Sequence, residues 1–276
     1  MNVVHVPPDT TMKVPQTGYS FDGGDYVSVW STALSTGFVG SSGSMMVVAQ
    51  IPNTTVWSDT QRRVFFRLGV DANNFAFMHK LETTVNEVRL LHRSGGANSL
   101  VVSSAVAGGS SWFQMAQTWD QPASEFKAYL NGTQTGLTQA IANAWVGTTL
   151  TSSNCILGAT NEAVANPHIG GLQHAAIWPT VLTAAQISSI YNASSGDIRA
   201  EIMGTSPLAY WMLGEAGGTT AASETGAQYN GVLGGGTSSP TMGVPGIGTR
   251  TRLPVQVHQR PTGLRVSHSS TTVSVA

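Results

Sequence analysis

Carboxylates and histidines are the residues whose spacing could do chemistry in this 276-residue chain, and each set falls short of a reaction. Paired acids that cleave glycosidic bonds must face one groove about 5–10 Å apart. On a strand that requires alternating carboxylates, and no such run occurs. Asp22 and Asp25 are close, but they flank Gly23-Gly24, where Asp commonly accepts backbone N–H groups. Glu82 with Glu87, and Glu215 with Glu224, have no useful spacing. A glycoside hydrolase is therefore the least expected reading. No G-x-S-x-G motif is present, and Cys155 sits in the apolar run Cys-Ile-Leu, which marks a small buried residue. The glycines of GVLGGG lack the lysine and helix of a phosphate loop. His168 and His174 could share a strand face. Without a third ligand they read as surface polar residues rather than a zinc site.

Binding chemistry has better candidates. Trp57 and Trp145 lie in the loop-like stretches TTVWSDT and ANAWVGT. An exposed indole there could stack on a sugar ring; the competing expectation is that both plug the ends of the fold.

The elements that must position these residues are strands. MMVVAQI (45–51) is a buried strand ended by Pro52, and VFFRLGV, NFAFMHK and VNEVRLLHR follow at short intervals as an antiparallel meander. SFDGGDYVSVW reads as two strands around a tight glycine reversal. In SWFQMAQTWD, Trp112, Gln114, Ala116 and Thr118 alternate with Phe113, Met115, Gln117 and Trp119. EFKAYLNGT alternates too, and Asn131-Gly132 is the strongest hairpin dipeptide. Thr183 stands at a helix N-cap before AAQISSIYNA, with Ile187, Ile190 and Tyr191 at helical spacing. STALSTGFVGSSGS reads as loop. Many short strands with one short late helix predict an all-β, two-sheet antiparallel sandwich.

Composition narrows the partners. Charged residues make up 10% of the chain, so Ser, Thr, Asn, Gln and Gly must cover the surface. A net charge of −1 gives no electrostatic case for nucleic acid or an anionic membrane. The lone cysteine excludes an intrachain disulfide. MNVVHVPPDTTMKVP has no basic segment leading into an apolar one, so no signal peptide is expected.

Three segments, in order, resemble a laminin-G-like or concanavalin A-like jelly-roll: FDGGDYVSV its opening strand, SWFQMAQTWDQPASEFKAYLNGT its central hairpin, and GLQHAAIWPTVLTAAQISSIYNA its close. The resemblance places the sandwich at 18–195, after an extended arm at 1–17. A fourth piece, PLAYWMLGEAGGTTAASETGAQYNG, resembles what normally precedes the opening strand, yet here it follows the close. Residues 196–248 are thus expected as a displaced strand pair that completes the sandwich, by permutation or by exchange with a neighbouring copy. Residues 249–276 form a second arm, with Arg250, Arg252, Arg260 and Arg265 and no acid. The resemblance also implies calcium at one rim, for which Asp71, Asn73 and Asn74 are the oxygen donors, with Asn161 and Glu162 as a second set. Ordinary turn chemistry competes, and the cofactor expectation is none.

Together these features predict a non-enzymatic virion structural protein: a phage capsid decoration, spike or tail-associated protein. The Tyr-Trp-x-Leu-Gly-Glu variant resembles phage structural proteins in particular. It would assemble with copies of itself and other virion proteins through its arms and could touch cell-surface glycans. The alternative is a carbohydrate-binding adhesin or lectin-like module.

Overall fold

A computed structural model describes residues 17–82, 87–103, 111–193, 197–235 and 239–245. The described residues form two eight-stranded antiparallel sheets, the sandwich expected from the sequence. The first sheet runs β10 (Thr133–Gln139), β9 (Glu125–Leu130), β8 (Trp112–Asp120), β3 (Ser42–Gln50), β12 (Ile169–Trp178), β1 (Thr17–Asp22) and β16 (Thr241–Pro245). β13 (Ala209–Trp211) joins it on β12, beyond the end of β1. The second sheet runs β14 (Thr220–Ala221), β15 (Gly231–Gly235), β2 (Asp25–Ser28), β11 (Ile156–Leu157), β4 (Arg63–Gly69), β5 (Phe75–Lys80), β6 (Val88–Ser94) and β7 (Ala97–Ser103).

Strand periodicity builds the core. On β8, Phe113, Met115 and Trp119 point between the sheets, while Ala116 packs on the opposite face. Phe21, Trp57, Phe65, Phe66, Trp119 and Trp211 fill the interior at 1% exposure or less. Burial of each such ring is worth about 1.5–3 kcal/mol. The β9–β10 reversal is the expected two-residue turn: Asn131 and Gly132 both take positive φ, +50° and +77°, between the paired Leu130 and Thr133.

The glycine reversal at 23–24 differs from expectation. β1 belongs to the first sheet and β2 to the second, so Asp22–Asp25 is a corner between sheets, not a hairpin. Asp22 Oδ1 accepts the Gly24 N–H (2.8 Å) and Asp25 Oδ2 accepts the Asp22 N–H (3.0 Å), which uses both acids to hold the corner.

Among the described residues three short helices join the single one expected. α1 (Thr32–Gly37), α2 (Thr54–Ser58) and α4 (Ile198–Gly204) are each about two turns or less, too short to show a period, but each has its side-chain cap: Ser31, Asn53 and Asp197. α3 (Ala184–Asn192) begins at Thr183 with a full capping box to Gln186. α3 and α4 press Ile187, Ile190, Ile198 and Ile202 onto Met46, Ala116, Tyr129, Trp178 and Tyr210. These helices cover the outer face of the first sheet. Among the described residues, no helix lies on the outer face of the second.

The late segment adds to both sheets of the same chain: β13 and β16 extend the first, on β12 and β1, while the paired β14 and β15 extend the second beside β2. Glu215, from the Leu-Gly-Glu stretch, ties the two together. It accepts the Tyr19 hydroxyl (2.6 Å) and the Ala222 N–H (2.6 Å).

Candidate functional site

The residues singled out in the sequence do not converge. Trp57 is carried inward by α2, is 1% exposed, and packs 5.7 Å from Phe113, so it offers no face to a ligand. Trp145 is half-buried between Phe38 (5.6 Å) and His92 (5.3 Å), above Gly40, where even a Cβ would come within 2.2 Å of the indole. Both indoles plug the fold. His168 and His174 were expected at the surface, and both are fully buried. His168 sits between Phe65 and Phe21, whereas His174, at a β12 irregularity with φ +51°, meets the Tyr210 hydroxyl at 2.6 Å. Burial lowers the pKa of each to about 3. Cys155 is buried, and its thiol is pushed up to about 12 by desolvation. Arg250, Arg252, Arg260 and Arg265, like both arms, lie outside the described residues.

The turn at 71–74 is a structural knot. Asp71 Oδ1 accepts the Asn73 N–H (2.7 Å) and Asn74 Nδ2 (3.1 Å). Asn74, 2% exposed, turns its Oδ1 to the Gly95 N–H (2.9 Å) and the Val146 N–H (2.8 Å). Asp71 Oδ1 and Asn74 Oδ1 are thus committed to N–H groups. The set holds a single carboxylate, so these residues do not fit a calcium ion. In the second set, Asn161 Oδ1 likewise accepts the Ala163 and Ala165 N–H groups.

A different set of residues does converge, on the outer face of the second sheet, which no described helix covers. Strand register aligns Ile156, Arg67, Phe77, Leu91 and Leu100 in one row across β11, β4, β5, β6 and β7. Phe75 lies opposite Arg93 in the row to one side. On the other side His79 lies opposite Arg89. The Arg67 guanidinium stands over Phe75 (5.1 Å) and Phe77 (5.8 Å), a cation–π contact that also lays its stem along the sheet. Val64, Phe77 and Leu91 are buried beneath this layer, with Phe75 and Leu100 packed against them. Burial draws the Arg67 pKa below its ordinary value. It draws His79 down to about 3, where Arg62 and Arg89 add repulsion. The result is an apolar, aromatic floor overlaid by three partly exposed guanidinium groups.

The sequence carried a signal for this face. Arg89, Leu91 and Arg93 alternate on β6 between the inward residues Val88, Leu90 and His92. What the sequence could not supply was the register that sets Arg67 beside them.

A family model described as the concanavalin A-like lectin/glucanases superfamily matches residues 21–188. No curated protein matches the chain in sequence. Among solved structures, a candidate carbohydrate-binding protein of Bacteroides ovatus is similar at 17% identity and a TM-score of 0.55. That match covers 83% of this chain, which spans 61% of that protein's length. The CBM40 module of the Ruminococcus gnavus IT-sialidase, solved with α2,3-sialyllactose, is similar at 16% identity and a TM-score of 0.48, over 63% of this chain and 96% of its own. A heptameric pentraxin of Limulus polyphemus is similar at 14% identity and a TM-score of 0.44, over 64% of this chain and 82% of its own. At these identities the likeness is one of fold.

Proposed function

The chain belongs to the concanavalin A-like lectin/glucanase superfamily, and from that premise we propose that it is a non-catalytic glycan-binding module that binds through the outer face of its second sheet. One observation carries this reading: the outer face of the first sheet is roofed by α3 and α4, while that of the second carries the partly exposed Arg67, Arg89 and Arg93, with Phe75 half-buried beneath Arg67. Aromatic rings and guanidinium planes suit the C–H faces and hydroxyls of sugar rings. The Bacteroides ovatus likeness supports the same class of function. The acids speak for a non-catalytic role. Asp59, Glu82, Glu125 and Glu224 are held in ion pairs, Asp22 and Asp25 hold the sheet corner, and Glu215 holds Tyr19.

A glycan array probed with the full chain tests this reading. Selective signal on a subset of sugars is expected, and a blank array spanning neutral and acidic glycans would overturn it. The virion role expected from the sequence stays a separate proposal. The edge strand β10, with Leu137 81% exposed, is a surface a second copy could extend. Self-association on sizing that survives removal of residues 249–276 would remove the second arm from that proposal.

A further inference from the structure

The described lysines and arginines divide by location. Arg62, Arg63, Lys80, Lys127 and Arg199 each meet a carboxylate at 2.5–2.9 Å. The remaining described cations are Arg67, Arg89 and Arg93, and all of them stand on the outer face of the second sheet. No described carboxylate pairs with them, and of the chain's acids only Asp9 lies outside the described residues. Glu87, next to β6, stands beyond ion-pair distance. Each of the three buries its Nε–H without a hydrogen-bond partner, and Arg67 reaches one distant carbonyl, Thr160 O at 3.4 Å. A buried donor left unmade is costly, and a half-buried charge more so.

The placement is ordered. Arg67 and Arg93 stand two strands apart and two residues out of row, about 12 Å, and Arg89 and Arg93 about 13 Å apart along β6. Phe77 lies within that triangle, and Phe75 lies at its edge, opposite Arg93. Three cations without anions, around an aromatic floor, are complementary to a flat ligand with one apolar face and negative charge at its rim. The chain's own tail is a poor occupant, since residues 249–276 carry four arginines and no acid.

We propose that this arginine triad makes the face selective for acidic sugars, pyranosides bearing a carboxylate. The sugar packs at the half-buried Phe75, beside Arg67 and Arg93, and its carboxylate accepts paired N–H groups from the guanidinium forks. A carboxylate supplies two coplanar oxygens, which the planar fork matches better than a hydroxyl does. The inference rests on the glycan-binding reading above.

Titration calorimetry of the full chain tests it. The ligands are an oligogalacturonate and a sialylated trisaccharide, which separate uronic from sialic acids, with neutral oligosaccharides and a sulfated polymer beside them. An acidic sugar is expected to bind about tenfold or more tightly than its neutral counterpart. Arg93→Gln and Arg67→Gln should each lose about tenfold, with melting temperature recorded to confirm folding. Arg199→Gln removes the same charge from α4 and should change nothing. Equal affinity for acidic and neutral sugars, unchanged in Arg67→Gln and Arg93→Gln, would overturn acid selectivity and leave glycan binding standing. Binding of the sulfated polymer alone would also overturn it. Failure of every sugar to bind would remove both.

Discussion

Acidification from pH 7 to 5 is expected to strip this protein of most of its stability, well above the range where its carboxylates titrate. The cause is four histidines buried in neutral form. His79, His168 and His174 have pKa values lowered to about 3, and His92 to about 4, by desolvation in every case. A histidine free in the unfolded chain titrates near 6.5. Between that value and the folded one, the unfolded state binds more protons, so stability falls as pH falls. At pH 5 each histidine costs about 2 kcal/mol, and the four together about 8 kcal/mol, against a typical total of about 5–15. Asp59 and Glu82 act lower. Burial would raise Asp59, but the Lys80 and Arg63 hydrogen bonds hold it below its ordinary value. Arg62 holds Glu82 near 2. Their stabilisation is lost only below about pH 4.5. Urea midpoints measured from pH 7.5 to 4.5 should fall steeply, and His92→Phe should make the slope shallower by up to one proton. A flat profile from 7 to 5 would contradict the burial assigned to these rings.

Trp211→Ala is expected to cost about 3–5 kcal/mol, or roughly 10 °C in melting temperature. Trp211 is fully buried, lies 6.4 Å from Phe66 edge to face, and donates its Nε1–H to the Tyr229 carbonyl at 2.7 Å. It therefore links the first sheet, through its pairing with Ala175, to the segment that feeds the second. Phe in its place should recover part of the loss by filling the cavity, without the hydrogen bond. A loss below 1 kcal/mol in the alanine variant would mean that β13 contributes little to the core. The displaced segment would then be an appendage rather than a part of the sandwich.

Local signals in the sequence were legible where neighbours in the chain decide the structure. The capping box at Thr183, the Asn131-Gly132 turn and the alternation of β8 depend on residues a few positions apart. The meander β4–β7 follows from short connections. Long-range choices were not legible. Nothing in Asp22–Asp25 says that the strands on either side enter different sheets, because the same glycines serve a corner or a hairpin. Trp57 read as a loop residue because a five-residue helix has no period, and that helix turns the indole into the core. His168 and His174 read as surface polar groups because the aromatic shell around His168 and the Tyr210 partner of His174 come from distant strands. The arginine face was hidden for a similar reason. Arg67 and Arg93 are 26 positions apart in sequence and meet only through the register of β5.

That face is the central claim, and NMR of the arginine side chains reaches it directly. The Nε–H groups of Arg67, Arg89 and Arg93 are buried and exchange slowly enough to give resolved ¹⁵N signals. On titration with a sugar that the chain binds, these three signals should shift together, and the ring signals of Phe75 and Phe77 should shift with them. The Arg62, Arg63 and Arg199 signals should stay in place. Sugar-induced shifts confined to the loop aromatics, Trp30 or Trp145, with the three arginines unmoved, would contradict the assignment of the binding face.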